Sequence, residues 1–152
     1  MGLFDSLEIS ATGLTAERLR MDVTAENLAN AQTTRGANGG PYRRKEVVLQ
    51  QASTGADFGA QLRSAIVGNG PGGGQTAGGV EVAAISEDPN PPKMVYDPGH
   101  PDANAQGYVA MPNVDSVTEM VDLISSSRAY EANVTAMQAS KQMFSKTLDL
   151  LR

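Results

Sequence analysis

Apolar residues recur at alternating steps of three and four toward the C-terminal end of the chain. The repeat runs without a break through Met120, Leu123, Ser127, Tyr130, Val134, Met137, Lys141, Phe144, Leu148 and Leu151. This spacing is typical of a helix that packs along a seam against another helix. Val121 and Ile124 add a second apolar edge to the same stretch. We therefore predict a C-terminal helix of about 36 residues, roughly 54 Å long.

The first turn of this helix is predicted from its capping residues. Ser116 followed by Glu119 fits the S-x-x-E capping box, in which each side chain bonds a backbone N–H of the other residue. Acidic residues gather near this end, and Lys141 and Lys146 lie toward the other end. Both charge groups suit the helix dipole.

A second helix is predicted near the N-terminus, beginning at Asp5 or Ser6. Its seam consists of Phe4, Leu7, Ala11, Leu14, Met21, Ala25 and Leu28, with Arg18 at one position. Ile9 and Leu19 widen the apolar stripe. The two helices could form only an intramolecular hairpin, but stripes this wide favour a pair whose remaining apolar edges pack on other subunits.

The middle of the chain differs sharply from both ends. All eight prolines lie between Pro41 and Pro112, and every glycine except Gly2 and Gly13 lies between Gly36 and Gly107. Gly and Pro interrupt helices and strands and favour turns and loops. The strand predictions are 42–50, 80–85, and a hairpin of 94–96 with 107–111. The fold class is thus α+β, with a terminal helical domain (1–33 plus 113–152) and a Gly/Pro-rich β-strand and loop segment (34–112).

Composition narrows the class of protein. The net charge is −5, which argues against nucleic-acid binding. There is no cysteine, so disulfides and thiolate sites are excluded. No apolar stretch approaches a membrane span. The first residues lack the basic and apolar regions of a secretory signal, so we expect a protein that either remains in the cytoplasm or leaves by another route.

Two motifs suggest chemistry, and we discount both. Gly68, Gly70 and Gly73 match the dinucleotide fingerprint, but the glycines that follow would break the helix that such a site needs. His100 is the only histidine and lies in a Pro-rich turn, where we expect a hydrogen-bonded side chain. The basic run 43–45 with Arg35 is expected to be a solvated face. We predict no cofactor, no metal and no enzymatic activity.

Two sequence motifs resemble flagellar proteins. Residues 27–34, read N-L-A-N-A-Q-T-T, resemble the signature of flagellar axial proteins. Residues 96–109 (Y-D-P-G-H-P-D-A-N-A-Q-G-Y-V), the P-N-V at 112–114, and residues 119–124 and 127–133 resemble the FlgC type of rod protein. The first signature is common to rod and hook proteins, whereas the second is more specific. A distal rod or hook component is the alternative.

The resemblance implies a structural subunit of the proximal rod in the bacterial flagellar basal body. It implies paired terminal helices in the axial core, transmission of torque, and export by the flagellar type III apparatus to the periplasm without a cleaved signal peptide. The implied partners are other rod proteins, adjacent copies, basal-body ring or adaptor proteins and the export apparatus. We predict that the subunit interface includes Leu7, Leu14, Met21, Asn27, Leu28, Asn30, Met120, Leu123, Tyr130, Val134, Met137, Phe144 and Leu148.

Overall fold

The computed structural model describes residues 3–36, 39–52 and 78–150. Helix α1 (Leu3–Ala29) comes first along the chain, four strands follow it, and helix α2 (Ser116–Leu150) comes last. The strands are β1 (Lys45–Gln51), β2 (Val80–Glu87), β3 (Lys93–Tyr96) and β4 (Tyr108–Met111). The predicted α+β class with long terminal helices is confirmed. Most of the glycine-rich segment, including Gly68, Gly70 and Gly73, lies outside the described residues.

The two helices pack against each other in antiparallel directions. Gly13 of α1 faces Asn133 of α2, and Asn27 of α1 bonds Glu119 of α2. In both pairs the residue numbers add to 146, so any residue of α1 is level with the residue of α2 that completes that sum. A Cβ on Gly13 would lie 3.0 Å from Asn133 Nδ2, which indicates that the helices approach closely there.

The inner face of the pair is displaced from the predicted seams. On α1, Ala16, Val23 and Asn27 are buried, whereas Ala11 and Ala25 of the predicted seam are exposed. On α2, Leu123, Tyr130 and Met137 keep their predicted inward side, but the positions between them are Ser126, Asn133 and Ser140. Short side chains let the backbones come close. The seam prediction is therefore wrong at Ala11 and Ala25 on α1, and on α2 these inner positions lie one residue before the predicted Ser127, Val134 and Lys141.

The strands form two separate antiparallel hairpins. In the first, β1 pairs with β2 from Lys45↔Glu87 to Gln51↔Val80, with a bulge between Val48 and Leu49. In the second, β3 pairs with β4 from Lys93↔Met111 to Tyr96↔Tyr108. All four predicted strands are thus present, with ends shifted by up to three residues.

The first hairpin is fixed to the middle of α1 through Thr12. The Thr12 hydroxyl donates to the Ile9 carbonyl and accepts the Val80 N–H at 3.2 Å. Gly79 just before has φ +70°, and a Cβ there would collide with Thr12 Oγ1. Glycine meets both demands, because it adopts positive φ freely and carries no side chain.

The cap of α2 is Asp115 and not the predicted Ser116–Glu119 box. Asp115 accepts the Val117 N–H at 3.0 Å and the Thr118 hydroxyl at 3.2 Å. These hydrogen bonds, led by that of Val117, lower the pKa of Asp115. Glu119 is 1 % exposed and bonds residues outside its own helix, so it is not available for a capping box.

Few apolar side chains are buried in this single chain. Among the described residues the buried hydrophobic ones are Ala16, Val23, Val109 and Val114. Many larger apolar side chains remain exposed on α2 and on the second hairpin. No described helix has the length and apolar character needed to cross a membrane. The core therefore supplies little hydrophobic stabilisation, and substantial apolar surface faces outward.

Candidate assembly interface

Asn27 connects three parts of the chain at the end of α1. Its Nδ2 donates to the Lys45 carbonyl at 2.8 Å and to Glu119 Oε2 at 3.1 Å. Its Oδ1 accepts the Lys45 N–H and the Tyr42 hydroxyl, each at 2.9 Å. An asparagine side chain has two donor hydrogens and two acceptor lone pairs, so all of its bonding capacity is used. Asn27 therefore joins α1 to β1 and to α2.

Glu119 is the second centre of this junction and carries a buried charge. Arg44 Nε lies 2.5 Å from Glu119 Oε1, and Arg44 also reaches Asp122 at 3.6 Å. The bond to Glu119 raises the pKa of the Arg44 guanidinium. A buried carboxylate is tolerated where an opposite charge and hydrogen bonds compensate its lost hydration. We call Asn27, Tyr42, Arg44 and Glu119 the polar junction.

Tyr42 makes the polar junction sensitive to alkaline pH. Burial, followed by the nearby carboxylates of Glu26, Glu119 and Glu87, raises the pKa of Tyr42 from its ordinary value of 10 to about 12. Between pH 10 and about 12, the Tyr42 hydroxyl therefore keeps its proton in the folded chain and loses it in the unfolded chain. This contribution to stability is complete below pH 10 and disappears as pH rises from 10 to about 12.

We expect Tyr42→Phe to flatten that pH dependence. The free energy of unfolding of the unaltered chain should fall as pH rises through 10, because only the unfolded state releases the Tyr42 proton. Urea unfolding at pH 9, 10 and 11 measures this slope. Tyr96→Phe, at an exposed position, is the control and should keep it. An unchanged slope in Tyr42→Phe would show that another group is responsible.

The two signature motifs meet beside the polar junction. Thr34 donates to Asp102 Oδ2 at 2.8 Å, and Arg35 Nε lies 2.9 Å from Asp102 Oδ1. Asp102 in turn donates its N–H to His100 Nδ1 at 3.1 Å. The motif after α1 is thus fastened to the turn between β3 and β4. The prediction of a hydrogen-bonded His100 is confirmed.

Asn30 and Thr33 close the end of α1. Asn30 Nδ2 donates to the Glu26 carbonyl at 2.9 Å, and its Oδ1 accepts the Thr33 hydroxyl at 3.1 Å. The Glu26 carbonyl also accepts the Asn30 backbone N–H at 3.0 Å, so the Asn30 side chain reinforces the last turn of the helix. Asn27 and Asn30 are therefore positioned to hold the chain together internally, and Asn27 is only 1 % exposed.

The basic residues beside the polar junction line a cleft of about 810 Å³. Their charges are used within the chain: Arg35 pairs with Asp102, Arg44 with Glu119, and Lys45 with Glu26 at 2.6 Å. The expectation of a solvated basic face is wrong for Arg44, which two carboxylates of α2 hold at the polar junction, whereas the side chain of Arg35 is 76 % exposed beside its ion pair. No group of three or more potential metal ligands occurs in the described part of the chain.

Two stretches of α2 carry exposed apolar side chains. The outer stripe consists of Val117, Met120, Val121 and Ile124, which are 46–65 % exposed. The overhang is residues 144–150, the C-terminal end of α2. Met143, Phe144 and Leu148 are exposed at or within it. Both surfaces are where another helix could add apolar contact.

The structure separates the predicted interface residues into two groups. Met120, Phe144 and Leu148 are exposed, on the outer stripe or the overhang. The others on the helices are half-buried or buried against neighbouring elements: Leu7, Leu14, Met21, Asn27, Leu28, Asn30, Leu123, Tyr130, Val134 and Met137. Sequence reasoning missed the structural roles of Arg44, Glu119 and Asp102. Their partners lie 68 to 92 residues away, beyond the reach of any local pattern.

Comparison with known proteins gives a consistent result over the whole chain. The family model described as "Flagella basal body rod protein" matches residues 7–37. The model described as "Flagellar basal body rod FlgEFG protein C-terminal" matches residues 105–150. A relative from Bacillus subtilis, named flagellar basal-body rod protein FlgC, is 53 % identical over 99 % of both chains. Relatives of the same name are 45 % identical in Borreliella burgdorferi, over 100 % of this chain and 99 % of theirs, and 43 % in Salmonella typhimurium, over 99 % and 98 %.

Proposed function

The chain belongs to the FlgC family of flagellar basal-body rod proteins, and on that premise we propose how its surfaces serve the rod. It is a structural subunit of that rod. We propose that it occupies the proximal rod and transmits torque through its paired terminal helices. The observation that carries this proposal is the row of exposed apolar side chains on the outer stripe of α2.

The proposed interface is formed by the helices of neighbouring subunits. The domain made of residues 1–33 and 113–152 would form the axial core, and residues 34–112 would lie against it as the second unit. Exposed seam residues would contact neighbours directly, while the half-buried ones would support the pair from within. The partners would be adjacent copies, other rod proteins and ring or adaptor proteins of the basal body. Association that does not close into a ring propagates a helical assembly.

Changes on the outer stripe test this function. In a strain that lacks the chain, we expect normal swimming from the unaltered gene and none from Val121→Asp or Ile124→Asp. Burying each side chain is worth about 1.5–3 kcal/mol, so its loss should reduce rod incorporation by more than about tenfold. The measurements are swimming and the rod content of isolated basal bodies.

Ser125→Asp is the matched control, because it adds the same charge to an exposed polar position of the same helical turn. Circular dichroism of the purified variants establishes that α2 still forms. Exposed positions are preferable to Leu28 or Val134, which are half-buried and would also disturb the fold. Normal swimming of both stripe variants, or of a strain with no copy of the gene, would contradict the proposal.

We propose that the chain reaches the periplasm through the flagellar type III apparatus, without a cleaved signal peptide. The small core supports this route. Isolated helices are marginally stable and gain most of their stability from packing. With only four buried hydrophobic side chains among the described residues, unfolding for passage through a narrow channel costs little. Subunits already in the rod would then supply the missing contacts.

We also propose that the chain has no enzymatic activity. Its polar clusters stabilise the fold. The polar junction connects α1 to β1 and to α2, and Asp102 connects the turn between β3 and β4 to the segment after α1. The single histidine accepts a backbone N–H through Nδ1 and stabilises that turn. A purely mechanical role uses each of these groups without requiring a reaction.

A further inference from the structure

We infer that a second copy of this chain docks its α1 against the outer stripe of α2, in an antiparallel contact that two pairs of opposite charges hold in register. The α1 side of this contact is a row of small and charged residues, all exposed, which we call the α1 stripe: Ala11, Thr15, Arg18, Asp22, Ala25 and Ala29. The inference rests on the proposed rod function and adds which surfaces of two neighbouring copies meet.

The α1 stripe faces away from α2 of its own chain. Ala25 lies two residues from Val23 and two from Asn27, and both of those are buried. Successive residues are about 100° apart around a helix, so a side chain two positions away points to nearly the opposite side. On α2, Ile124 lies two positions before the buried Ser126 in the same way. The two stripes are thus on the outer sides of the helix pair, and one chain cannot bring them together.

The two stripes have matching spacing when one is read backward. From Ala29 toward the N-terminus, the α1 stripe advances in steps of four, three and four. From Val121 along α2, the outer stripe continues through two exposed charged residues, Arg128 and Glu131, in steps of three, four and three. In an antiparallel pair of helices these two rows stay level to within one residue, which is the condition for a continuous helical seam.

Large side chains meet small ones in the apolar half of this alignment. Val121 and Ile124 are 60 % and 55 % exposed, and they lie level with Ala29 and Ala25 of the next copy. Alanines leave room for the larger side chains, so the two helices can approach closely. Leu28, which is half-buried beside the α1 stripe, adds apolar surface to the same face.

Opposite charges meet in the other half. Arg128 lies level with Asp22 of the next copy, and Glu131 lies level with Arg18 of the next copy. Within the described part of the chain, none of these four residues forms an ion pair. Their charges are therefore available to a partner, and complementary charges at an interface select the partner and the register.

A shift of one heptad in either direction removes this match. One shift brings Asp22 level with Val121 and Arg18 level with Ile124, which places charges on apolar side chains and leaves them unpaired. The opposite shift carries Val121 and Ile124 beyond Ala29, the last residue of α1. Of these three alignments, only the proposed one satisfies the apolar and the charged residues together.

The contact also gives every copy the same direction. Because α1 and α2 are antiparallel within the chain and the contact is antiparallel too, α1 of the next copy runs parallel to α1 of the first. Each chain carries one stripe of each kind, so the contact is heterologous and can repeat without closing into a pair. It gives a partner to Arg18 and Ala25, two positions of the predicted α1 seam that α2 of the same chain leaves exposed.

Charge reversal tests the pairing in a strain whose only copy of the gene carries the change. Arg18→Glu and Glu131→Arg should each lower the amount of this chain in isolated basal bodies by at least about tenfold, because each places like charges together. Arg18→Glu/Glu131→Arg restores opposite charges and should recover the amount to within about threefold of the unaltered chain. Arg18→Glu/Arg128→Glu is the matched control, since it has as many reversals but leaves like charges in both pairs.

Cross-linking identifies the copies that meet, because the chain has no cysteine. In basal bodies that contain Ala25→Cys/Ile124→Cys, a short bis-maleimide should link copies of this chain into dimers and longer series. The two single variants should give dimers only when they are expressed together. Swimming shows that rods form; if it is lost, Thr15→Cys/Thr135→Cys replaces the pair, since both positions are exposed and keep a side chain of similar size.

The inference is wrong if the double reversal stays as low as its matched control. Rods that assemble without any link between copies would also overturn it and leave these stripes to other rod proteins. Either result in a strain whose swimming depends on the gene removes this contact alone. Normal swimming without the gene would instead remove the proposed rod function.

Discussion

Replacing Arg44 with methionine is expected to lower the free energy of unfolding by about 3–5 kcal/mol, which is the usual cost of leaving a buried charge without its partner. Arg44 holds Glu119 at 2.5 Å, and Glu119 is 1 % exposed. Methionine keeps much of the side-chain volume, so the change isolates the charge. Urea unfolding followed by helical circular dichroism measures the difference.

Two matched variants make this result specific. Arg43→Met removes the adjacent, exposed positive charge and should change stability by less than about 0.5 kcal/mol. Arg44→Met/Glu119→Met removes both charges and should recover much of the loss, because no unpaired carboxylate remains buried. If Arg44→Met is no more destabilising than Arg43→Met, Glu119 does not depend on Arg44 in the folded chain.

Asn27→Ala is expected to cost about 3 kcal/mol of stability. The change removes four hydrogen bonds and leaves the N–H and C=O of Lys45, the Tyr42 hydroxyl and Glu119 short of a partner. Each buried polar group left unsatisfied costs about 1–3 kcal/mol, and water entering the space offsets part of the total. The same urea measurement applies.

Asn30→Ala provides the comparison within the same motif. Asn30 also makes two hydrogen bonds, but at the end of α1 rather than inside the polar junction. Its loss should cost about 0.5–1.5 kcal/mol, the ordinary net value of such bonds. Equal effects of the two substitutions would mean that the burial of Asn27 contributes nothing to its importance.

Local patterns in the sequence predicted the elements well, because each element depends mainly on its own residues. The 3-4 spacing predicted both helices, and α2 begins at Ser116, the residue predicted to cap it. The distribution of Gly and Pro predicted a middle segment of strands and loops, and the turn residues predicted the hairpin of β3 and β4. These features require no knowledge of distant contacts.

The inner face of the helix pair could not be predicted in the same way. Hydrophobicity favoured Ala11 and Ala25 for the seam, but the helices approach closely at Gly13, opposite Asn133, and the buried inner position on α2 is the small, polar Ser126. Glu119 fitted a local capping pattern, yet its partners come from residues 27 and 44. A sequence with several apolar edges does not reveal which edge faces its own chain and which faces a neighbour.

The separation of the paired helices along the chain also affects folding kinetics. Asn27 and Glu119 are 92 residues apart, so the contact that joins the two ends has a high contact order. Such contacts form slowly, since a long loop must close before they contribute any stability. The pair cannot form until α2 as well as α1 is available. A chain delivered gradually, N-terminus first, would therefore stay without its helix pair until almost all of it had arrived.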